Sequence, residues 1–268
     1  VDYKVFKSRI ALLYSSIGDS HGGLYIRGEK LGGDRAKVIG DSLLRELRGV
    51  SGLKAQMLEG RYGYLLVPAN STRDNITKLS QAIQDTLCVL ASKGMEGIIL
   101  DLRAHEGGSI LPGFTGLHQL IGKGVVGAFS NLEGSERDVW KLQGGRYYHK
   151  GKVAGSVKPG CRIEGSMKVA VLLGPVTASA GEMLAIALKG RRHTVFVGEQ
   201  TYGLTTGNVT FTVDGMMLAV AASVSQDREG RSYAKGIQPD ITVIGGDCFS
   251  GLEKDTKVHA ALKWMKGN

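Results

Sequence analysis

Two stretches of this chain run through the same order of elements, and that order excludes most architectures. Residues 63–68, 73–93 and 97–102 read as a strand, a long amphipathic helix and a buried strand. The helix has Ile76, Leu79, Ile83, Leu87 and Leu90 on one stripe, and Gly94 stops it. From Lys168 the order recurs: the apolar run Val169 to Leu173, a helix opened at Ser179, a stop at Gly190, and a strand over Thr194–Val197. Strand–helix alternation with short joints predicts stacked ββα or βαβ units, an α/β fold rather than a sandwich.

The rest of the chain is ordered around these units. Residues 54–59 read as a strand before Gly60-Arg61-Tyr62. At the start, a helix over Phe6–Ile17 leads through Gly18-Asp19-Ser20-His21-Gly22-Gly23 to a strand at Leu24–Ile26. A second helix is expected after Gly32-Gly33, with Asp34 as its cap and Ala36, Ile39, Leu43 and Leu47 on one face. Asp214-Gly215 between two alternating runs is a hairpin signal. Residues 124–166, rich in Gly and Lys, break the rhythm and read as an insertion. A last amphipathic helix carries Val258, Leu262 and Met265.

Composition narrows the function. With 34 basic and 25 acidic residues the net charge is +9, which suits an anionic membrane or cell-wall surface. The basic residues are scattered and no aromatics interleave them, which argues against a nucleic-acid site. No apolar run reaches the roughly 18 residues of a membrane span. The first residue is Val1, so a trimmed precursor is expected. Three cysteines, Cys88, Cys161 and Cys248, form no CxxC pair, no zinc site and no readable disulfide framework. Cys88 falls on the apolar side of its helix and is expected to pack in the core.

The chemistry concentrates at Thr177-Ala178-Ser179-Ala180-Gly181-Glu182, where a strand turns into a helix. A helix start offers unpaired N–H groups and a positive dipole end, which would stabilise an oxyanion beside Ser179. The same serine could be an ordinary cap. A nucleophilic serine needs a base. His118 and His259 lie on helices, and His149 and His193 read as surface residues. His21 and His105 remain, each in a glycine-flanked loop after a regular element. After His105-Glu106, Gly107-Gly108 lets backbone N–H groups approach a ligand. Ser109 stands where a zinc protease needs its second histidine, and Leu117 where a phosphate loop before Gly122-Lys123 needs glycine. Thr177 likewise replaces the first glycine of a G-x-S-x-G elbow.

Four short motifs in one order complete the pattern. They are Asp101-Leu102-Arg103 with Gly107-Gly108, the Ser179 segment, Val197-Gly198-Glu199-Gln200-Thr201-Tyr202-Gly203, and Gly230-Arg231-Ser232-Tyr233 with Gly236-Ile237-Gln238-Pro239-Asp240. Over residues 60–245 this resembles the carboxyl-terminal processing (tail-specific) serine proteases. One branch of that family places a lysine base directly after the T-[FY]-G turn, where this chain has Leu204. The other branch, similar to tricorn-core and nisin-resistance proteases, takes a histidine from an N-terminal Gly-Asp-x-His segment, and Gly18-Asp19-Ser20-His21 fits it.

The resemblance implies Ser179 as nucleophile, His21 as general base, and Ala180 with Gly107 (or Gly108) as oxyanion donors. Glu182 resembles the family's acid after the serine, although an acid in a first helical turn needs no such role. The family's Asn is replaced by His105, which makes His105 a rival base. Ser20 is a candidate to orient His21. The implied fold is a ClpP/crotonase-like ββα superfold core with an N-terminal helical cap over 1–50, the protease core over 51–250 with the 124–166 insertion, and a C-terminal helix over 251–268. The implied activity is extracytoplasmic serine endopeptidase action, without metal or cofactor, on a peptide or unfolded tail bound as a β-strand. An inactive peptide- or lipid-binding module and a crotonase-type acyl-CoA enzyme are the alternatives.

Overall fold

Strands that are apolar on both faces need cover on both, and the elements are laid out to supply it. The computed structural model describes residues 2–32, 39–70, 75–131, 133–158 and 160–267. The N-terminal part comprises α1 (Tyr3–Ser16), β1 (Gly23–Ile26), β2 (Glu29–Gly32) and α2 (Asp41–Arg48). Next come β3 (Lys54–Leu58), β4 (Tyr62–Leu66), α3 (Ile76–Ser92) and β5 (Gly97–Asp101). Short helices α4 (Leu111–Gly116) and α5 (His118–Ile121) lead to β6 (Gly124–Ser130), β7 (Arg137–Gln143), β8 (Arg146–His149) and β9 (Lys152–Ser156). The second unit is β10 (Lys168–Leu173), α6 (Ala180–Leu188) and β11 (Thr194–Gly198). The hairpin of β12 (Thr206–Val213) and β13 (Met216–Asp227), then β14 (Ile241–Thr242) and α7 (Thr256–Lys266), complete the order.

These strands form two sheets in a mixed α/β fold. The six-stranded sheet runs β14-β11-β10-β5-β4-β3, parallel except for the β3–β4 pair. Its side chains alternate between two covers. Leu65, Ile98, Leu100, Val169 and Val171 pack with Ile83 and Leu87 of α3 and Leu184 of α6. Tyr64, Leu66, Ile99, Ala170 and Leu172 pack with Val258, Ala261 and Met265 of α7. Each large apolar side chain buried this way contributes about 1.5–3 kcal/mol.

The second sheet, of eight strands, is antiparallel throughout, with the path β2-β1-β13-β6-β7-β8-β9 and β12 paired to β13. Residues 124–166, expected as an insertion, thus pair through β6 into one sheet with the N-terminal and Asp214-Gly215 hairpins. Trp140 and Tyr147 of this sheet pack edge-on against Phe114 of α4, at 5.4 and 5.3 Å between centroids. Gly127 makes room for that indole: a Cβ there would lie 2.4 Å from the ring of Trp140.

Several expectations need correction. α2 starts at Asp41 behind Gly40, leaving Ile39 outside the helix; Asp34 and Ala36 lie outside the described residues. α3 starts at Ile76, where the Asn75 side chain accepts from Lys78 N–H; positions 73 and 74 lie outside the described residues. Cys88 is more than core packing, because it forms a disulfide with Cys161 across a separation of 73 residues. Closing a loop of that length is worth about 4 kcal/mol in the chain-entropy account. The spacing could not show it, since only the return of the segment after β9 onto α3 brings the two together.

Past the end of β5, Arg103 is fully buried and bonds Asp101, Asp247 and Asp255. Asp255 also caps α7. The Asp101-Leu102-Arg103 motif therefore anchors the start of the His105 loop to the C-terminal helix.

Candidate active site

Ser179 sits at the end of a turn that the sequence packs tightly. Thr177 Oγ1 donates to Leu102 O and accepts from Gly174 N–H, and Ala178 N–H donates to His105 O. Gly181 allows this approach, since a Cβ there would lie 2.4 Å from His105 O. Ser179 itself has φ +49° and ψ −116°, a conformation that costs a non-glycine residue about 1–3 kcal/mol. Glu182 holds it there, its Oε2 accepting from Ser179 N–H at 3.0 Å.

The imidazole that faces Ser179 comes from the side of the antiparallel sheet. His21 Nε2 lies 3.0 Å from Ser179 Oγ, although 158 residues separate them. β13 pairs with β1 up to Ala219 and with β6 from Val224, and Asp19 docks between these two segments. Its Oδ2 accepts from Ala221 N–H at 2.7 Å, and its Oδ1 accepts from His21 and Gly22 N–H. Burial opposes ionisation of Asp19, but these three donors outweigh it and hold its pKa below the ordinary value. Gly22 is required, because a Cβ would lie 2.2 Å from Ala219 O.

Burial lowers the His21 pKa below the ordinary imidazole value; the Asp19 charge and the hydrogen bond at Thr206 oppose the shift, and the Lys30 charge adds to it. A neutral imidazole needs one nitrogen protonated. His21 Nδ1 lies 2.6 Å from Thr206 Oγ1. With Nδ1–H donating to that hydroxyl, the Nε2 lone pair faces Ser179. Thr206, which sequence reading missed, thus occupies the place expected of Ser20. Its only signal was a hydroxyl two residues past Leu204.

The rival base is elsewhere. His105 is buried, lines a separate cavity with Leu79 and Ile83, and its Nδ1 has no partner among the described residues. Burial pushes its pKa down to about 4. His149, read as a surface residue, is 44% exposed at its side chain, lines the cavity of Ser179 and lies 3.3 Å from Asp138.

Gly107 has φ +135°, and a Cβ on it would lie 3.1 Å from Ser179 Cβ. Its carbonyl accepts from Asn70 N–H, and the Asn70 side chain bonds both N–H and C=O of Ser109. Gly108 faces Asn70 instead, with a Cβ only 1.9 Å from Asn70 O. The Ala180 N–H lies in the first turn of α6, where no intrahelical acceptor exists.

Residues 61–243 match the family model described as peptidase family S41. The chain belongs to that family. It is similar to the nisin-resistance protein of Lactococcus lactis subsp. lactis, 26% identical over 179 residues, covering 66% of this chain and 52% of that protein. It is also similar to the chloroplastic C-terminal processing peptidase of Tetradesmus obliquus, 28% identical over 164 residues, 60% of this chain and 31% of that one. The chain thus spans about a third to a half of those relatives. A lipoprotein from Streptococcus agalactiae shares the fold, with TM-score 0.62, 22% identity, and coverage of 84% and 73%.

In this S41 chain Glu182 does more than cap a helix. Its buried carboxylate accepts from Ser179 N–H, Thr201 Oγ1, Gly203 N–H and Leu204 N–H. Burial raises its pKa, and those four hydrogen bonds resist the shift. One side chain therefore fastens Ser179 to the following turn. Around the Ser179–His21 pair opens a cavity of about 750 Å³, lined by Met183 and Thr206 and by Phe129 and Asp138 of the antiparallel sheet.

Proposed function

We propose that this chain is a serine peptidase working through a Ser179–His21 dyad oriented by Thr206. The observation that carries this reading is the 3.0 Å approach of His21 Nε2 to Ser179 Oγ beside a glycine loop. His21 takes the hydroxyl proton as Oγ attacks the peptide carbonyl. The N–H groups of Ala180 and Gly107 receive the oxyanion. The amine leaves with the proton from His21, and water, activated by the same imidazole, hydrolyses the acyl-enzyme.

The substrate is a peptide or unfolded tail cut near its C-terminal part, bound as an added strand. The edge of β12 supports this: among the described residues β12 pairs with β13 alone, and Thr206 to Val209 line the cavity. An open edge supplies main-chain hydrogen bonds, and pockets choose side chains. The β–α–β order around β5, β10 and β11 supports the ClpP/crotonase-like ββα superfold. The Cys88–Cys161 disulfide supports an oxidising, extracytoplasmic setting. Among the described residues no helix is long and apolar enough to cross a membrane.

Labelling with a fluorophosphonate tests the assignment. The folded protein should label at Ser179, and Ser179→Ala should abolish the signal. Unlabelled wild-type protein, or labelling that His21→Ala leaves untouched, would overturn the Ser179–His21 assignment.

A further inference from the structure

Charges of both signs are mixed along most of this chain, but one stretch has no acids. Between residues 139 and 158 the sequence carries Lys141, Arg146, Lys150, Lys152 and Lys158, with no Asp or Glu. It folds as most of β7 with β8 and β9, at one end of the antiparallel sheet. Side chains alternate along a strand, and the buried Trp140, Leu142 and Tyr147 turn one face toward the core. The opposite face carries Arg137, Val139 and Lys141 from β7. By register Tyr148 stands beside Lys141, and Arg146 beside Gln143. Val153 of β9, opposite Tyr148, continues the same face.

The positive charge here is not neutralised. Arg137, Lys141, Arg146, Lys150, Lys152 and Lys158 are all exposed, and none forms an ion pair among the described residues. Several cations elsewhere are paired, as Arg61 is with Glu96, Arg231 with Glu229 and Lys266 with Glu59. The face also adjoins the dyad, because Arg137 and Lys150 line the cavity that contains Ser179 and His21. Inside that cavity Glu136 and Asp138 offset them. Beyond it the charge has one sign. Lys141 stands four residues along β7 from Arg137, a distance of about 13 Å. An extended peptide leaving the cavity covers that distance in about four residues. The occupant that fits is therefore a continuation of the chain being cut, with charge opposite to the face.

We infer that the outer face of β7, β8 and β9 is an exosite for an acidic segment of the substrate, to one side of the cut. This rests on the peptidase reading. A face of one sign speeds encounter with the opposite charge and repels its own. Each exposed ion pair multiplies affinity by a factor of about two to five, so three or four together give about 10-fold or more. The test extends a core peptide that the protein cuts, on either side, with a run of Glu, of Gln or of Lys. On one side the Glu run should lower KM at least ~10-fold relative to Gln, with kcat within ~3-fold, and the Lys run should raise KM. In 1 M salt, where the screening length is about 3 Å, the difference should shrink to ~2-fold. A triple variant, Lys141→Glu with Arg146→Glu and Lys152→Glu, leaves the cavity lining as it is. It should melt like wild type, cut the Gln peptide as before and lose the preference for Glu. If wild type treats Glu and Gln peptides alike, or the folded triple variant keeps the preference, the exosite is refuted while the peptidase reading survives. Binding to phosphatidylglycerol vesicles, lost in the triple variant and without any preference for Glu peptides, would refute it in favour of a lipid surface. Wild-type protein that neither labels with fluorophosphonate nor cuts any peptide would instead remove the peptidase reading, and the exosite with it.

Discussion

The parallel sheet and the antiparallel sheet contribute to the site in different ways. The parallel side builds Ser179, Ala180 and the Gly107 loop from two strand-to-helix turns, through contacts among residues close to β5 and β10. The antiparallel side delivers His21 and Thr206 only through pairing of β1 and β12 with β13. The first is local chemistry and the second is register. On the proposed mechanism, the nucleophile is thus set by one supersecondary unit, whereas its base depends on a sheet that joins segments far apart in the chain.

Breaking the link between the two sides should cost most. His21→Ala is expected to lower kcat for peptide cleavage by roughly 10,000- to 1,000,000-fold, while a melt stays near that of wild type. Gly107→Ala perturbs the parallel side alone. Its φ of +135° and a Cβ 3.1 Å from Ser179 Cβ should displace the donor N–H and lower kcat about 100- to 1,000-fold. KM should move far less. Thr206→Val acts on the antiparallel side by removing one hydrogen bond of 2.6 Å. A loss of about 10-fold in kcat, regained by Thr206→Ser, separates orientation from packing.

The smallest effect is in the pH profile. A depressed pKa keeps His21 neutral, and so basic, further into acid. The acid limb of kcat/KM should have its midpoint below the ordinary His value of about 6.5. A midpoint at or above that value would mean that the base is solvated and not seated beside Thr206. His105 adds a separate signature in stability. Its folded pKa of about 4 lies below the unfolded value, so the unfolded chain binds the proton first as pH falls. The contribution is present above pH 6.5 and is lost down to about pH 4, amounting to about 3 kcal/mol, readable in urea melts.

Legibility in the sequence followed the same division. The Val169–Leu173 run, the break at Gly174-Pro175 and the helix after Ser179 were readable because each signal lies within a few residues of its effect. α3 and α7 were readable for the same reason. Thr206 was not, because its role depends on the β12–β13 register, in which Thr206 faces Val224. Cys88–Cys161 and the union of residues 124–166 with the N-terminal strands also depend on contacts far apart in the chain. His21 was reached through its Gly-Asp-x-His motif, and the structure adds what that aspartate does. It fills a break between two paired segments of β13.

That docking has a consequence for timing. The amide that secures Asp19, that of Ala221, belongs to a strand made long after the Ser179 turn. Without that strand the bond from Ala221 to Asp19, which helps to hold the segment of His21 beside Ser179, is missing. On the proposed mechanism, competence to cut therefore waits until β13 has paired with the N-terminal strand.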